Sequence, residues 1–213
     1  MTKKKSQPDT KQSILDAAEF LFATRGFRGT SLRAITGKAN VNLAAVNYHF
    51  GSKESLLAEV IKRRILPLNR IRRQRLEEVR ETAHKTGKKP DTKDILYAFI
   101  QPTLQFRETE PGAKEFMTFI GRSFADPDST VRRVFMKFIK PMFQLLQESM
   151  GEALPQYPRN QIFWRLQFTI GALFHTLNIC SNINMEQLTM DDLNTCTLTD
   201  LIIPYVTAGM KAK

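Results

Sequence analysis

The chain has few of the residues that build stapled or metal-bearing proteins: of 213 residues, two are cysteine and three histidine. Cys180 and Cys196 form no CxxC pair and have no histidine at metal-ligand spacing. They read as reduced, buried thiols of a cytosolic protein, not as a disulfide frame or a zinc site. His49, His84 and His175 are far apart, and there is no glycine-rich phosphate loop. No carboxylate pair or Ser/His/Asp grouping has a recognisable context, so an enzyme is not expected, nor a cofactor or metal. No apolar run approaches the ~20 residues that span a bilayer. The basic start MTKKKSQPDT lacks the apolar stretch and cleavage site of a signal peptide. The expectation is a soluble, cytoplasmic protein with no membrane partner.

Hydrophobic residues make up 42% of the chain and charged residues 25%, enough for a buried core. The net charge of +11 is unevenly spread. Residues 1–64 hold 12 Lys/Arg against 5 Asp/Glu, residues 65–90 hold 8 against 3, and the remainder holds 12 against 13. All the positive excess lies in the first 90 residues, the footprint of a nucleic-acid-binding end on a neutral body. The basic residues of 70–89 are read as a solvated surface.

Periodicity predicts an all-α protein. Residues 1–8 are expected to be a disordered basic arm. Asp9 opens the first helix with Gln12 in a capping-box-like relation, Ile14, Ala17, Ala18, Leu21 and Phe22 form its buried stripe, and Arg25-Gly26 ends it. A long helix follows from Leu56 to about Ala83, with a kink expected at Pro67. Further helices are expected at 93–108, 113–125, 129–153, 159–185 and 195–211, separated by Glu110-Pro111-Gly112, Asp126-Pro127-Asp128, Pro155 to Pro158 and Asn184 to Asn194. The last has strand-like composition, but Leu198, Leu201, Ile202, Tyr205 and Gly209 fall at helical spacing. The expected division is a helix-turn-helix domain over 9–56 and a helical effector-binding and dimerisation domain over 57–213.

The segment TSLRAITGKANVNLAAVNYHFGSKESLL, residues 30–57, carries most of the functional information. Thr30 caps a short helix, its hydroxyl or that of Ser31 sits at a positive terminus that attracts phosphate, Leu32 and Ile35 face a small core and Arg33 points out. Asn40, able to adopt a left-handed conformation, makes the turn. Asn42 caps the next helix, which Val46 and Phe50 lock down. Leu43, Ala44, Ala45, Asn47, Tyr48 and His49 are then available to a DNA groove. Small side chains at 44 and 45 allow close approach, Asn47 reads a base edge or phosphate, Leu43 and Ala44 touch thymine methyls, and Tyr48 and His49 fix register on phosphates. Gly51 breaks the helix, Ser52 caps the next and Lys53 adds charge at its N-terminus.

Residues 9–57 resemble the N-terminal domain of the TetR family of one-component transcriptional regulators. The resemblance is carried by Ile14-Leu15-Asp16-Ala17-Ala18, Phe22, Gly26-Phe27, Thr30-Ser31-Leu32, Ile35, Ala39, Val41 and Tyr48-His49-Phe50-Gly51-Ser52-Lys53-Glu54. Asn40 and Ala44 stand where the family usually has glycine, and Asn42 where it has Ser or Thr. Val41 to Lys53, with Phe163-Trp164-Arg165 and Pro204 to Met210, is similar to a fatty-acid-responsive, PsrA-like branch. The resemblance implies a homodimer on a pseudo-palindromic operator, a helical effector domain and repression relieved by a small molecule.

Helix 159–185 is apolar on both faces: Ile162, Leu166, Ile170, Leu173, Leu177 and Cys180 on one, Trp164, Phe168, Ala172, His175 and Ile179 on the other. The second face, with Ile203 and Val206 of helix 195–211, is expected to form a dimer seam. Fifteen Phe and eight Met residues, with in-helix Pro102 and Pro141, suggest an apolar cavity for a fatty acid, acyl derivative or other hydrophobic effector. Phe99, Phe119, Arg122, Phe138, Phe168 and His175 are its candidate residues. Each phenylalanine taken singly suits a packed core, and Arg122 suits an ion pair with Glu115, Asp126 or Asp128. The alternative function is a helical interaction or architectural DNA-binding protein without small-molecule control.

Overall fold

The computed structural model describes residues 10–123, 130–182 and 194–212. The expected arm at 1–8, the Asp9 cap, the Asp126-Pro127-Asp128 separator, residues 184–193 and the side chain of Cys180 lie outside the described residues. Among the described residues there are nine helices and no strand: α1 (Thr10–Arg25), α2 (Leu32–Ala39), α3 (Leu43–Phe50), α4 (Lys53–Lys85), α5 (Thr92–Thr109), α6 (Ala113–Ser123), α7 (Thr130–Ala153), α8 (Arg159–Asn182) and α9 (Thr195–Lys211). The expected division at 56/57 falls inside α4.

Ile14, Ala18 and Phe22 of α1 close over Ile35, Val46 and Leu56, the buried core of the first four helices. Gly26, at φ 73°, ends α1, and Phe27 folds back to put its ring 5.5 Å from that of Phe22. Gln12 donates to Asp16 Oδ1 at 3.0 Å. The cap of α2 is Ser31 and not the expected Thr30: the Ser31 Oγ accepts from Ala34 N–H at 3.1 Å.

α4 packs against α5 and α7, and α9 against α5 and α8. Pro67, Pro102, Pro141 and Pro204 all lie inside helices. Each withholds the N–H that the carbonyl four residues back would accept. In α9 the buried stripe differs from the expected one. Leu198, Ile202, Ile203, Val206 and Met210 are buried, while Leu201 and Tyr205 are exposed. Ile203 and Val206 therefore belong to the protomer's own core. The 198–202–206–210 ladder wins because it places four apolar side chains one turn apart. Arg165 of α8 stacks on Tyr157 and donates to the carbonyls of Met210 and Ala212, both at 2.6 Å, tying the end of α9 to α8.

Candidate nucleic-acid interface

Helices α2 and α3 meet at a turn set by Asn40, at φ 54° and ψ 47°. Val41 N–H donates to Thr36 O at 3.1 Å, closing the end of α2. Asn42 Oδ1 accepts from Ala45 N–H at 2.9 Å and so starts α3. Val46 and Phe50 anchor α3 inward. The opposite face presents Leu43, Ala44, Asn47 and Tyr48 to solvent, Tyr48 being 86% exposed. Ala45 and His49 are half-buried, and the His49 ring lies between those of Tyr48 and Phe50. Gly51, at φ 71°, stops α3, and its N–H donates to Asn47 O. Ser52 Oγ then accepts from Ser55 N–H at 3.0 Å to open α4.

Ser31, Arg33 and Asn42 are exposed beside this face, and Lys53 is half-buried. The Lys53 ammonium sits 4.3 Å from the centre of the Phe27 ring, and burial lowers its pKa. Thr30 is the correction: it is 1% exposed, and its hydroxyl serves Leu21 O at 3.1 Å and Gly26 O at 2.8 Å. Its side chain ties the α1 terminus to the α2 start and is closed off from a nucleic acid.

Beneath the motif, α1 and α4 are joined by charge. The buried Glu19 carboxylate accepts from Arg63 and from Arg64 Nε at 2.6 Å, while Arg63 Nη1 also reaches Asp16 at 2.6 Å. These carboxylates raise the Arg63 pKa against the opposing effect of its burial. Sequence reasoning missed this joint because Asp16, Glu19, Arg63 and Arg64 read individually as solvated helix residues.

Farther along α4 lies a cavity of about 460 Å³, within the range of small-molecule sites. α4 contributes Ile65, Leu68 and Arg72, α5 Phe99 and Thr103, and α6 Met117. α7 and α8 supply the aromatic wall, with Phe135, Phe143, Phe163 and Phe174. Phe143 and Phe163 meet edge to face at 5.8 Å. Pro67, Pro102 and Pro141 interrupt the backbone ladders of three of the wall helices.

Residues 14–60 match the family profile described as "Bacterial regulatory proteins, tetR family". Residues 97–209, more than half of the chain, match "Tetracyclin repressor-like, C-terminal domain". The chain belongs to the TetR family. Its relatives include "Probable HTH-type transcriptional regulator YttP" of Bacillus subtilis (strain 168), 25% identical over 151 residues, which are 70% of this chain and 67% of YttP. Similar solved structures include the fatty acid degradation regulator FadR from Bacillus halodurans (TM-score 0.66, 17% identity, 98% of each chain). FadR from Bacillus subtilis in complex with stearoyl-CoA is another (TM-score 0.65, 15% identity, 93% of this chain and 98% of that one). At these identities the two structures support the fold.

In this TetR-family regulator only Phe99 of the six candidate effector residues lines the apolar cavity. Phe119 stacks on Phe22 at 6.2 Å, and with Arg122 it borders a shallower cleft between α1 and α6. Phe138 packs against the core outside the cavity lining, and its carbonyl accepts from Asn69 Nδ2 at 3.0 Å. Phe168, 69% exposed, and His175 lie on the solvent face of α8, because the cavity-facing residues of that helix are Phe163, Gln167, Ile170 and Phe174. Trp164 is exposed on the same outer face, its ring stacked on Phe168 at 6.4 Å. The residue missed from sequence is Arg72, 4% exposed on the cavity wall. Its place in an arginine-dense run made it look like surface charge. The signal that distinguishes it is its i, i+4 spacing from the buried Leu68 and Leu76.

Among the described residues no group of three metal-ligating side chains occurs, and no helix is long and apolar enough to cross a membrane.

Proposed function

We propose that this regulator is a cytoplasmic, non-enzymatic repressor that binds a pseudo-palindromic operator as a homodimer and is released by a hydrophobic small molecule, a fatty acid or acyl derivative. One observation carries the reading. A polar and small-residue face of α3 is presented to solvent on one end of α4, and the same helix lines the apolar cavity at Arg72.

In this reading, residues up to the first turn of α4 are the DNA-binding unit and the rest is the effector and dimerisation unit. Asn47, Leu43 and Ala44 meet base edges, with the backbone close because the side chains are small. Ser31, Arg33, Tyr48, His49 and Lys53 take phosphates and fix register. Asn42 and Ala45 hold the start of the helix. The seam of the dimer is the outer face of α8, with Trp164, Phe168 and His175, joined by Leu201 and Tyr205 of the neighbouring α9. Large aromatics on such a face favour a second copy of the same helices. The two α3 helices would then enter successive major grooves about one helical turn, ~34–36 Å, apart.

Effector binding favours a protomer arrangement in which that spacing no longer matches, to the extent that the ligand prefers one state over the other. The stearoyl-CoA held by the Bacillus subtilis FadR supports an acyl ligand for the cavity. Selecting bound fragments from genomic DNA, followed by salt titration on selected and random duplexes, tests the reading. A regulator prefers its selected site by about 10³-fold or more. Equal affinity for both duplexes would leave an architectural binder.

A further inference from the structure

We propose that the cavity takes an amphipathic anion with a free carboxylate, its head group held by Arg72 and its chain laid along the aromatic wall of α7 and α8. This deepens the effector reading and rests on that assignment of the cavity.

Nineteen described residues line the cavity, of which Arg72, Lys140 and Arg159 are cations and none is an aspartate or glutamate. Lys140 and Arg159 are exposed, while Arg72 is buried. Its guanidinium lies 4.3 Å from the centre of the Phe99 ring. It donates from Nε to Phe99 O at 3.2 Å, from Nη1 to Asn69 Oδ1 at 3.1 Å and from Nη2 to Thr103 Oγ1 at 2.5 Å. All three acceptors are neutral, and no carboxylate among the described residues pairs with Arg72.

A guanidinium has five N–H donors, so one on each terminal nitrogen is left over, enough in number for both oxygens of one carboxylate. Burial without a counterion lowers the Arg72 pKa to about 9, which still leaves it cationic at neutral pH. A buried charge offset only by neutral dipoles is a standing electrostatic deficit, and an anion arriving in the cavity removes it.

The apolar remainder sets the other half of the ligand. The lining on α7 runs from Phe135 to Gln147 and that on α8 from Arg159 to Phe174. These spans amount to about 18 Å and about 22 Å of helix at 1.5 Å per residue. Phe135, Ile139 and Phe143 on α7 and Phe163, Ile170 and Phe174 on α8 give these spans an apolar side, broken by Gln144, Gln147 and Gln167, that accepts an unbranched chain. An acyl thioester would bring no negative charge to Arg72. The observations therefore favour the free acid.

The test is calorimetric titration of the full-length protein, without DNA, with octanoate, dodecanoate and hexadecanoate, each beside its matching alcohol and coenzyme A thioester. The expected result is that at least one acid binds ten-fold or more tightly than its alcohol and its thioester. Arg72→Met, which replaces the guanidinium by a neutral chain, is expected to weaken the acid by at least ten-fold and leave the alcohol unchanged. Equal binding of acid and alcohol, tighter binding of the thioester, or no binding of any acid overturns the proposal, as does an Arg72→Met protein that keeps its acid affinity. The acid-to-alcohol ratio on the unaltered protein decides the matter even where the variant does not fold. Release of DNA is measured separately. Acid binding without release supports the carboxylate site and removes the effector role. Operator specificity without acid binding overturns the site alone.

Discussion

Lys53 occupies the first turn of α4 with its ammonium over the Phe27 ring, so its position is fixed by the motif's own packing. A phosphate approaching this terminus meets a pre-placed cation and a favourable helix dipole. Lys53→Ala is expected to weaken binding to every duplex and to reduce the slope of log affinity against log salt by about one, read from a salt titration. Asn47→Ala is expected instead to change which duplexes bind, with about 1–3 kcal/mol of discrimination lost at one base pair. A selection experiment returning an unaltered consensus for Asn47→Ala would remove its base-reading role.

At this scale the sequence distinguishes cap residues from groove residues but not one hydroxyl from its neighbour. Thr30 and Ser31 both suit a helix start. The choice falls to Ser31 because Thr30 lies over the end of α1, where the Leu21 and Gly26 carbonyls need a donor. That need arises from a nine-residue closure no local pattern displays.

Between elements, Asp16 and Glu19 on α1 are tied to Arg63 and Arg64 on α4, a joint between the motif and the long helix beside their shared apolar core. Glu19→Gln leaves two half-buried guanidinium groups short of a carboxylate. It is expected to destabilise the protein by about 3 kcal/mol in a denaturant titration and to weaken operator binding with the bases contacted unchanged. A stability within a few tenths of a kcal/mol of the parent would show the joint to be decorative. Helix existence and order were legible throughout, because apolar residues recur at helical spacing and Gly or Pro punctuates the loops. Which face of α9 goes inward was not, since Leu198 opens two apolar ladders and only contact with α5 and α8 selects between them. The cavity was anticipated from phenylalanine, methionine and proline content. Of the expected effector residues only Phe99 lines it, because a phenylalanine on α6 or the outer face of α8 looks in sequence like one on the cavity wall.

For the whole molecule, Trp164 and Phe168 are exposed and stacked on the face of α8 proposed as the dimer seam. Phe168→Glu is expected to shift the protein to monomers in analytical ultracentrifugation, since each copy would bring a carboxylate into the proposed apolar seam. Operator affinity should fall with it, because two half-sites then bind independently. The protomer's melting should change little, as Phe168 is 69% exposed. A dimer of undiminished stability would move the seam elsewhere.

α4 extends without a break from Lys53 past Arg72 to Lys85. Nineteen helical steps lead from the first to the second, about 28 Å of rod at 1.5 Å each. A tilt pivoting at the guanidinium thus carries the foot of the rod through about half an ångström per degree. Pro67 sits between them and withholds the N–H that the carbonyl of Arg63 would accept, which leaves one soft link directly above the ionic joint. If the proposed effector pulls on the guanidinium, stiffening that link with Pro67→Ala would convey more of the pull to the foot, and one residue would set the gearing.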